Sequence, residues 1–418
     1  MAEVWVTECA SPLSPREAAL RLAHEPGLAW LDGGLAHGRD GRFSFVSTAP
    51  CERVTQAAGE PWSALPSCEL ADDTRELRAS DVPQWVGYVG YDARTPGAST
   101  PALCFARYDA SYAFDHQNQR AYLVGDDAAA CARLGAKLRR APVDALAFEA
   151  GAVVATPWSE HEAAIRGALA LIREGEVYEI NLARRFRAPF AGSSLGLFLR
   201  MRDESPVPLG LYLEAGEHTL LGRSMERFLR LRDGVLSTSP IKGTVARLGD
   251  DKGEAQALSA DPKERAEHAM VVDLMRNDLS RVCELGSVRI DELMAVLPFA
   301  GLSHLVSTIS GRTDASVAEI LAQTFPPGSI TGAPKERVVR AIAQLESAAR
   351  GLYCGCYGFL DRAGGCSFAV TIRSAVVSAG LVDYFAGGGI VADSDPAREV
   401  AETELKAQMF LRALSPSP

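Results

Sequence analysis

The 418-residue sequence has no run of basic residues, and its formal net charge is −10. An acidic chain without a basic patch lacks the electrostatic footprint of a nucleic-acid binder. It also suits an anionic small molecule only if a cation or local arginines reverse the field. No apolar stretch approaches the length of a membrane span, so no membrane partner is expected. Met1-Ala-Glu-Val-Trp-Val6 has no basic segment leading into an apolar one, so no secretory signal is expected. The nine cysteines are scattered and odd in number, and Cys354 and Cys356 have one residue between them, which is not a zinc spacing. Reduced thiols and a cytoplasmic location are the expectation. What is present is apolar bulk: 47% of the residues are hydrophobic, enough for a large core, and the length suggests two or three domains.

Residues 1–150 read as a β-rich half. Trp85-Val-Gly-Tyr-Val-Gly-Tyr91 alternates glycine with large residues, as a tightly packed strand would. Arg42-Phe-Ser-Phe-Val46 is a short strand, and residues 108–124 form a hairpin turning near Asp115-His-Gln-Asn118. Residues 38–41 and 72–74 are polar turns. A seam is expected at residues 144–157, dividing residues 1–150 from a second region of residues 151–418. There, Ser159 with Glu162 predicts a capping box opening a helix whose apolar face is Ile165, Leu169 and Ile172, stopped by Gly175. Tyr178-Glu-Ile-Asn-Leu-Ala-Arg184 follows as a strand, and 209–213 and 218–221 read as paired strands.

The stretch Ser237-Thr-Ser-Pro-Ile-Lys-Gly-Thr244 carries the chemistry. A lysine between apolar and small residues loses solvation, which lowers its pKa and frees an amine for attack. Gly243 lets the backbone approach a ligand closely, and Thr244 adds a hydroxyl and an amide. Asp261-Pro-Lys-Glu264 starts a helix on which Glu264, Glu267, Val271 and Leu274 share a face. The last helix repeats the grammar: Asp395 caps, Pro396 opens, and Glu399, Glu402 and Lys406 share a face. Taken singly, each glutamate pair is better explained as a solvated helix face. Residues 325–335, rich in glycine and proline, lead into a helix at Pro334, and Ala386-Gly-Gly-Gly-Ile390 is read as a turn whose N–H groups face an anion.

These motifs, in this order, resemble the chorismate-utilising enzymes. The resemblance covers residue 159 to the end well and the first half loosely. Pro240-Ile-Lys-Gly-Thr244 is similar to the aminodeoxychorismate synthase branch, whereas the anthranilate synthases carry alanine where Lys242 stands. The resemblance implies an α/β fold of two large packed antiparallel-rich sheets with helices outside, both regions intertwined in one body. It implies Lys242 as nucleophile, Glu226 as general acid and His304 as a catalytic-site histidine. It further implies Mg2+ held by Glu267 and Glu402 with Glu264 and Glu399 beside them, and substrate contacts from Gly243, Thr244, Ser329, Thr331, Tyr353, Arg373, Gly387, Gly388, Gly389 and Lys406. The expected reaction joins chorismate and ammonia into 4-amino-4-deoxychorismate for 4-aminobenzoate and folate synthesis. The chain shows no recognisable glutaminase or lyase portion, so a glutamine amidotransferase partner is implied. Relatives that add water carry lysine where Glu179 stands, and ammonia-using members typically carry glutamine; Glu179 departs from both. Several relatives bind tryptophan in the first region, at a serine that Trp30-Leu-Asp-Gly-Gly34 replaces with glycine. The alternatives are an anthranilate, isochorismate or salicylate synthase, or an inactive regulatory homologue.

Overall fold

Strand Pro83–Val89 is buried along its whole length, and its glycine explains how. A Cβ on Gly87 would lie 2.1 Å from the Cys104 carbonyl oxygen and 2.6 Å from the Phe105 ring. Only glycine lets the neighbouring strand Leu103–Arg107 approach this closely. The hairpin expected near Asp115 is present as Ala110–Asp115 paired with Arg120–Gly125. Its turn is held by the Asp115 carboxylate, which accepts from the Gln117 and Asn118 amides.

A computed structural model of the chain describes residues 4–34, 41–59, 62–74, 77–94, 101–144, 146–246, 260–299 and 302–415. Residues 38–40 of the expected turn lie outside these. Among the described residues two sheets form. One has 13 strands and runs from Trp5–Glu8 through Ala29–Asp32, Leu209–Glu214, His218–Ser224 and Leu381–Ile390 to Glu179–Gly192 and Val154–Ala155. The other has 10 and runs from Ile241–Ala246 through Leu302–Arg312, Cys356–Asp361 and Pro83–Val89 to Glu52–Gln56. Each sheet mixes strands from before and after residue 150.

The sheets pack face to face. Ala29, Leu211, Leu213 and Leu220 of the first meet Val86, Tyr88, Cys104 and Tyr357 of the second in one buried cluster. The Tyr88 hydroxyl reaches His218 across this layer at 2.7 Å. Helices cover the outer faces. Ala164, Ile165 and Leu169 of Trp158–Arg173, Val271 and Met275 of Pro262–Ser280, and Val338 and Ile342 of Lys335–Leu345 share one core. Leu22, Leu134, Phe198 and Phe410 share another. Each of these side chains larger than alanine contributes roughly 1.5–3 kcal/mol by leaving water. On the last helix, Phe410 stacks on Tyr384 with ring centroids 4.6 Å apart. No helix among the described residues is long and apolar enough to cross a membrane, and the nine cysteines are free thiols.

Two local expectations need correction. The Ser159–Glu162 capping box does not form. The cap of helix Trp158–Arg173 is Pro157, two residues before Ser159, with no side-chain cap bond. The Trp158 indole donates to Glu404 at 2.6 Å and Glu162 pairs with Arg166, so docking against the last helix overrides the local signal. The triple glycine is not a turn. Gly387, Gly388 and Gly389 lie inside strand Leu381–Ile390, paired with Ala183, Leu182 and Asn181.

Candidate active site

Lys242 enters the site from a β-bulge. The pairing of strand Ile241–Ala246 with Leu302–Arg312 shifts between Lys242 and Thr244, and Gly243 takes φ +67°. That left-handed conformation favours glycine, and a bulge re-aims the neighbouring side chain. The side chain of Thr244 lies outside the described structure.

The bulge directs Lys242 at Glu179, the first residue of strand Glu179–Gly192. Lys242 Nζ donates to Glu179 Oε1 at 2.7 Å, and Glu179 is buried. A Cβ on Gly389 would lie 2.2 Å from that carboxylate oxygen and 3.0 Å from the ammonium. The glycines therefore serve by leaving space rather than by turning the chain. Burial pulls the Lys242 pKa down, but the carboxylates of Glu179, Glu267 and Glu226 together hold it above its ordinary value. The lowered pKa expected from lost solvation alone is therefore not found: the carboxylates favour the protonated amine.

Glu226 sits between strands His218–Ser224 and Arg227–Arg232, at 4% exposure. Burial pushes its carboxyl up to about 7, against the pull of the neighbouring Ser329 hydroxyl, the Lys242 ammonium and the Ile241 amide. A carboxylic acid poised near neutrality can deliver a proton in a reaction at neutral pH. His304, buried, donates from Nδ1 to the Gly243 carbonyl at 3.0 Å. Burial draws its pKa down to about 4, the charges of Arg373 and Lys406 lowering it further against the Gly243 bond. The ring is neutral and supports the bulge.

The last helix faces the glycine strand. Lys406 Nζ donates to the Gly387 carbonyl at 2.8 Å and pairs with Glu402 at 2.6 Å. A Cβ on Gly388 would meet Glu399 at 3.3 Å and Glu402 at 4.0 Å. Asp395 caps this helix by accepting from the Arg398 amide, and Asp261 caps the helix of Glu264 and Glu267 in the same way. Among the described residues no group of three or more His, Cys, Asp or Glu stands ready to hold a metal. The four glutamates do not form a preformed cage. Magnesium, however, ordinarily takes one or two protein carboxylates and completes its shell with water and substrate. Glu399 and Glu402, side by side over a glycine that gives them room, fit that sparse arrangement.

Arg373 has φ +53° and donates to the Lys406 carbonyl at 3.0 Å. Tyr353 is buried, stacked on Phe385 with centroids 5.3 Å apart, and the Arg350 guanidinium lies 5.7 Å from its ring. Ser329, on the turn Gly328–Ile330, is buried. Thr331, expected to contact substrate, is fully buried, and its hydroxyl donates to the Pro327 carbonyl at 2.6 Å. That bond braces the loop from within.

Sequence reasoning missed three supports. Lys335 joins Asp278 at 2.5 Å and the Thr324 carbonyl at 2.7 Å, tying the glycine–proline loop to the first glutamate helix. Glu346 joins Arg350 at 2.7 Å and accepts from the Ala183 amide. His268, next to Glu267, is buried against Ser307 at 2.7 Å. Asp278, Ala183 and Ser307 are distant in the chain from the residues they bond, so no local pattern signals those contacts; only the Glu346–Arg350 pair is local. A separate cavity of about 120 Å3 lies between the sheets, lined by Asp32, Gly33, Phe43, Leu209 and Tyr357. The Asp32 carboxylate there is already bonded by Arg202 at 2.8 Å and Arg223 at 3.0 Å.

Comparison with known proteins is consistent with this geometry. Residues 32–412 match the model of the chorismate binding enzyme family. Aminodeoxychorismate synthase component 1 of Klebsiella aerogenes is 38% identical over 320 residues, 75% of this chain and 71% of that protein. Anthranilate synthase component 1 of Streptomyces coelicolor is 35% identical over 452 aligned positions, covering 98% of this chain and 86% of that one. The crystal structure of anthranilate synthase component I from Streptococcus pneumoniae superposes with a TM-score of 0.77 at 27% identity, over 88% of this chain and 92% of that one. The chain belongs to the chorismate binding enzyme family.

Proposed function

We propose that the chain aminates chorismate at C4, giving 4-amino-4-deoxychorismate, through a covalent intermediate on Lys242. The observation that carries this reading is the placement of Lys242 on a glycine bulge, beside the proton-bearing Glu226 and with its amine bonded to Glu179. Glu226 protonates the departing C4 oxygen while Lys242 attacks C2; ammonia then enters at C4 and expels the lysine. Dividing one difficult displacement between a nucleophile and a general acid lowers each barrier. Arg373 is the side chain suited to a substrate carboxylate, because its fork meets two oxygens at once. Glu267 and Glu402, with Glu264 and Glu399 beside them, are the carboxylates that would hold magnesium, which would supply positive charge for the substrate's ring carboxylate.

The similar component 1 proteins support a partner for this chain, and we assign that partner the supply of ammonia from glutamine. The folate route is the corresponding metabolic reading. A second reading, anthranilate synthesis, is favoured by the comparable identity to the Streptomyces protein. Lys242 weighs against it, because by resemblance that branch carries alanine there. The test is product identification: chorismate, magnesium and ammonium incubated with the chain, with mass and chromatographic analysis. We expect 4-amino-4-deoxychorismate; anthranilate as the main product would overturn the assignment.

A further inference from the structure

Three carboxylates act on the Lys242 ammonium: Glu179, Glu267 and Glu226. A protonated amine has no lone pair, so one group must take its proton before it can attack. Glu226 is the group that must carry a proton to the leaving oxygen, so it cannot also accept one in the same step. Glu267 lies on the helix Pro262–Ser280, which is read as presenting metal ligands. Glu179 is buried and sits 2.7 Å from Nζ. Gly389 is the residue that makes this contact possible, since a Cβ there would overlap the Glu179 carboxylate at 2.2 Å.

We infer that Glu179 is a catalytic residue, the base that takes the proton from Lys242 as it attacks and returns it when the lysine is expelled. The inference rests on the reading of Lys242 as nucleophile. Nζ gives a proton to Glu179, and its lone pair forms the Nζ–C2 bond. The two ring double bonds shift, the C4–O bond breaks, and the proton of Glu226 leaves with the oxygen as water. When ammonia bonds to C4 the shift reverses and the Nζ–C2 bond breaks. The amine recovers its proton from Glu179, and the new C4 ammonium returns one to Glu226. Atoms and charges balance, and no further reactant is needed.

The test separates proton transfer from mere placement. Glutamine keeps the length and an accepting oxygen of Glu179 but cannot take a proton; aspartate is shorter but can. The whole chain is mixed with chorismate and magnesium without ammonia and quenched at intervals. The adduct on the Lys242 peptide is quantified by mass spectrometry. We expect Glu179→Gln to form the adduct at least about 100-fold more slowly than the parent, within the range of general-base effects, with Glu179→Asp between them. A glutamine variant as fast as or faster than the aspartate variant overturns the inference. Melting curves check folding; if Glu179→Gln does not fold, Glu179→Ala with added formate replaces it, and absence of rescue is refuting. A parent chain that turns over chorismate and ammonium with no adduct on Lys242 overturns the nucleophile reading itself. An adduct whose rate ignores residue 179 overturns only the role of Glu179.

Discussion

Replacing Glu226 with glutamine should make the protein more stable at alkaline pH while removing most of its activity. Unfolded, this carboxyl ionises near its ordinary value of 4.5; folded, burial holds it protonated up to about 7. Between those values the native state binds the extra proton, so its stability falls as pH rises. Above pH 7 the folded chain must hold a buried carboxylate, and the cumulative cost is about 3 kcal/mol. Glu226→Gln keeps the shape and cannot ionise, so that cost disappears. Thermal melts of parent and variant at pH 5 and pH 8 check this. The variant should melt close to the parent at pH 5 and a few degrees above it at pH 8. Its turnover at neutral pH should fall by roughly 10²–10⁴-fold, the usual contribution of a general acid. A melting difference that is the same at both pH values would show that the carboxyl does not ionise at a cost in the native state, and the argument for Glu226 as a poised acid would fail.

Lys242→Ala should lose most 4-amino product and gain some 2-substituted product, since ammonia then has no lysine to displace; Lys242→Arg should also be poor because guanidinium stays protonated. Chromatography of products from both variants decides it, and an alanine variant with the parent's rate and product excludes the covalent route. Glu402→Gln should cut turnover by orders of magnitude and raise the magnesium requirement, with little change in melting temperature because the side chain is half exposed; unchanged metal dependence removes it from the metal site. Lys335→Met should strand the buried Asp278 carboxylate and destabilise the chain by about 3–5 kcal/mol, read by denaturant titration. Glutamine alone should not support turnover by the purified chain, whereas ammonium at alkaline pH should; glutamine-dependent product without an added subunit contradicts the partner assignment.

Adjacent residues determined a good deal by themselves. The caps at Asp261 and Asp395 were legible because a cap bond spans three residues. So was the hairpin at Asp115, whose carboxylate bonds amides within the turn. Lys242 and the two glutamate helices stood out as motifs, because their wording is local, whereas Glu226 entered through the family resemblance. What those residues do to one another was not legible. Glu179 and Lys242 are 63 residues apart and stand on strands of different sheets, so only the packing of the two sheets sets their contact. That contact, together with the nearby charges of Glu267 and Glu226, reverses the effect expected from burial, because the carboxylates jointly outweigh lost solvation. The triple glycine has the composition of a turn, yet the ladder with Asn181, Leu182 and Ala183 makes it strand. At Gly388 and Gly389 the small size matters because carboxylates from elsewhere in the chain fill the space it leaves. Ser159 offered a cap that docking of Trp158 on Glu404 displaced. In each case a short-range preference worth about a kcal/mol met burial and ion pairing, whose size depends on neighbours that only the tertiary fold supplies.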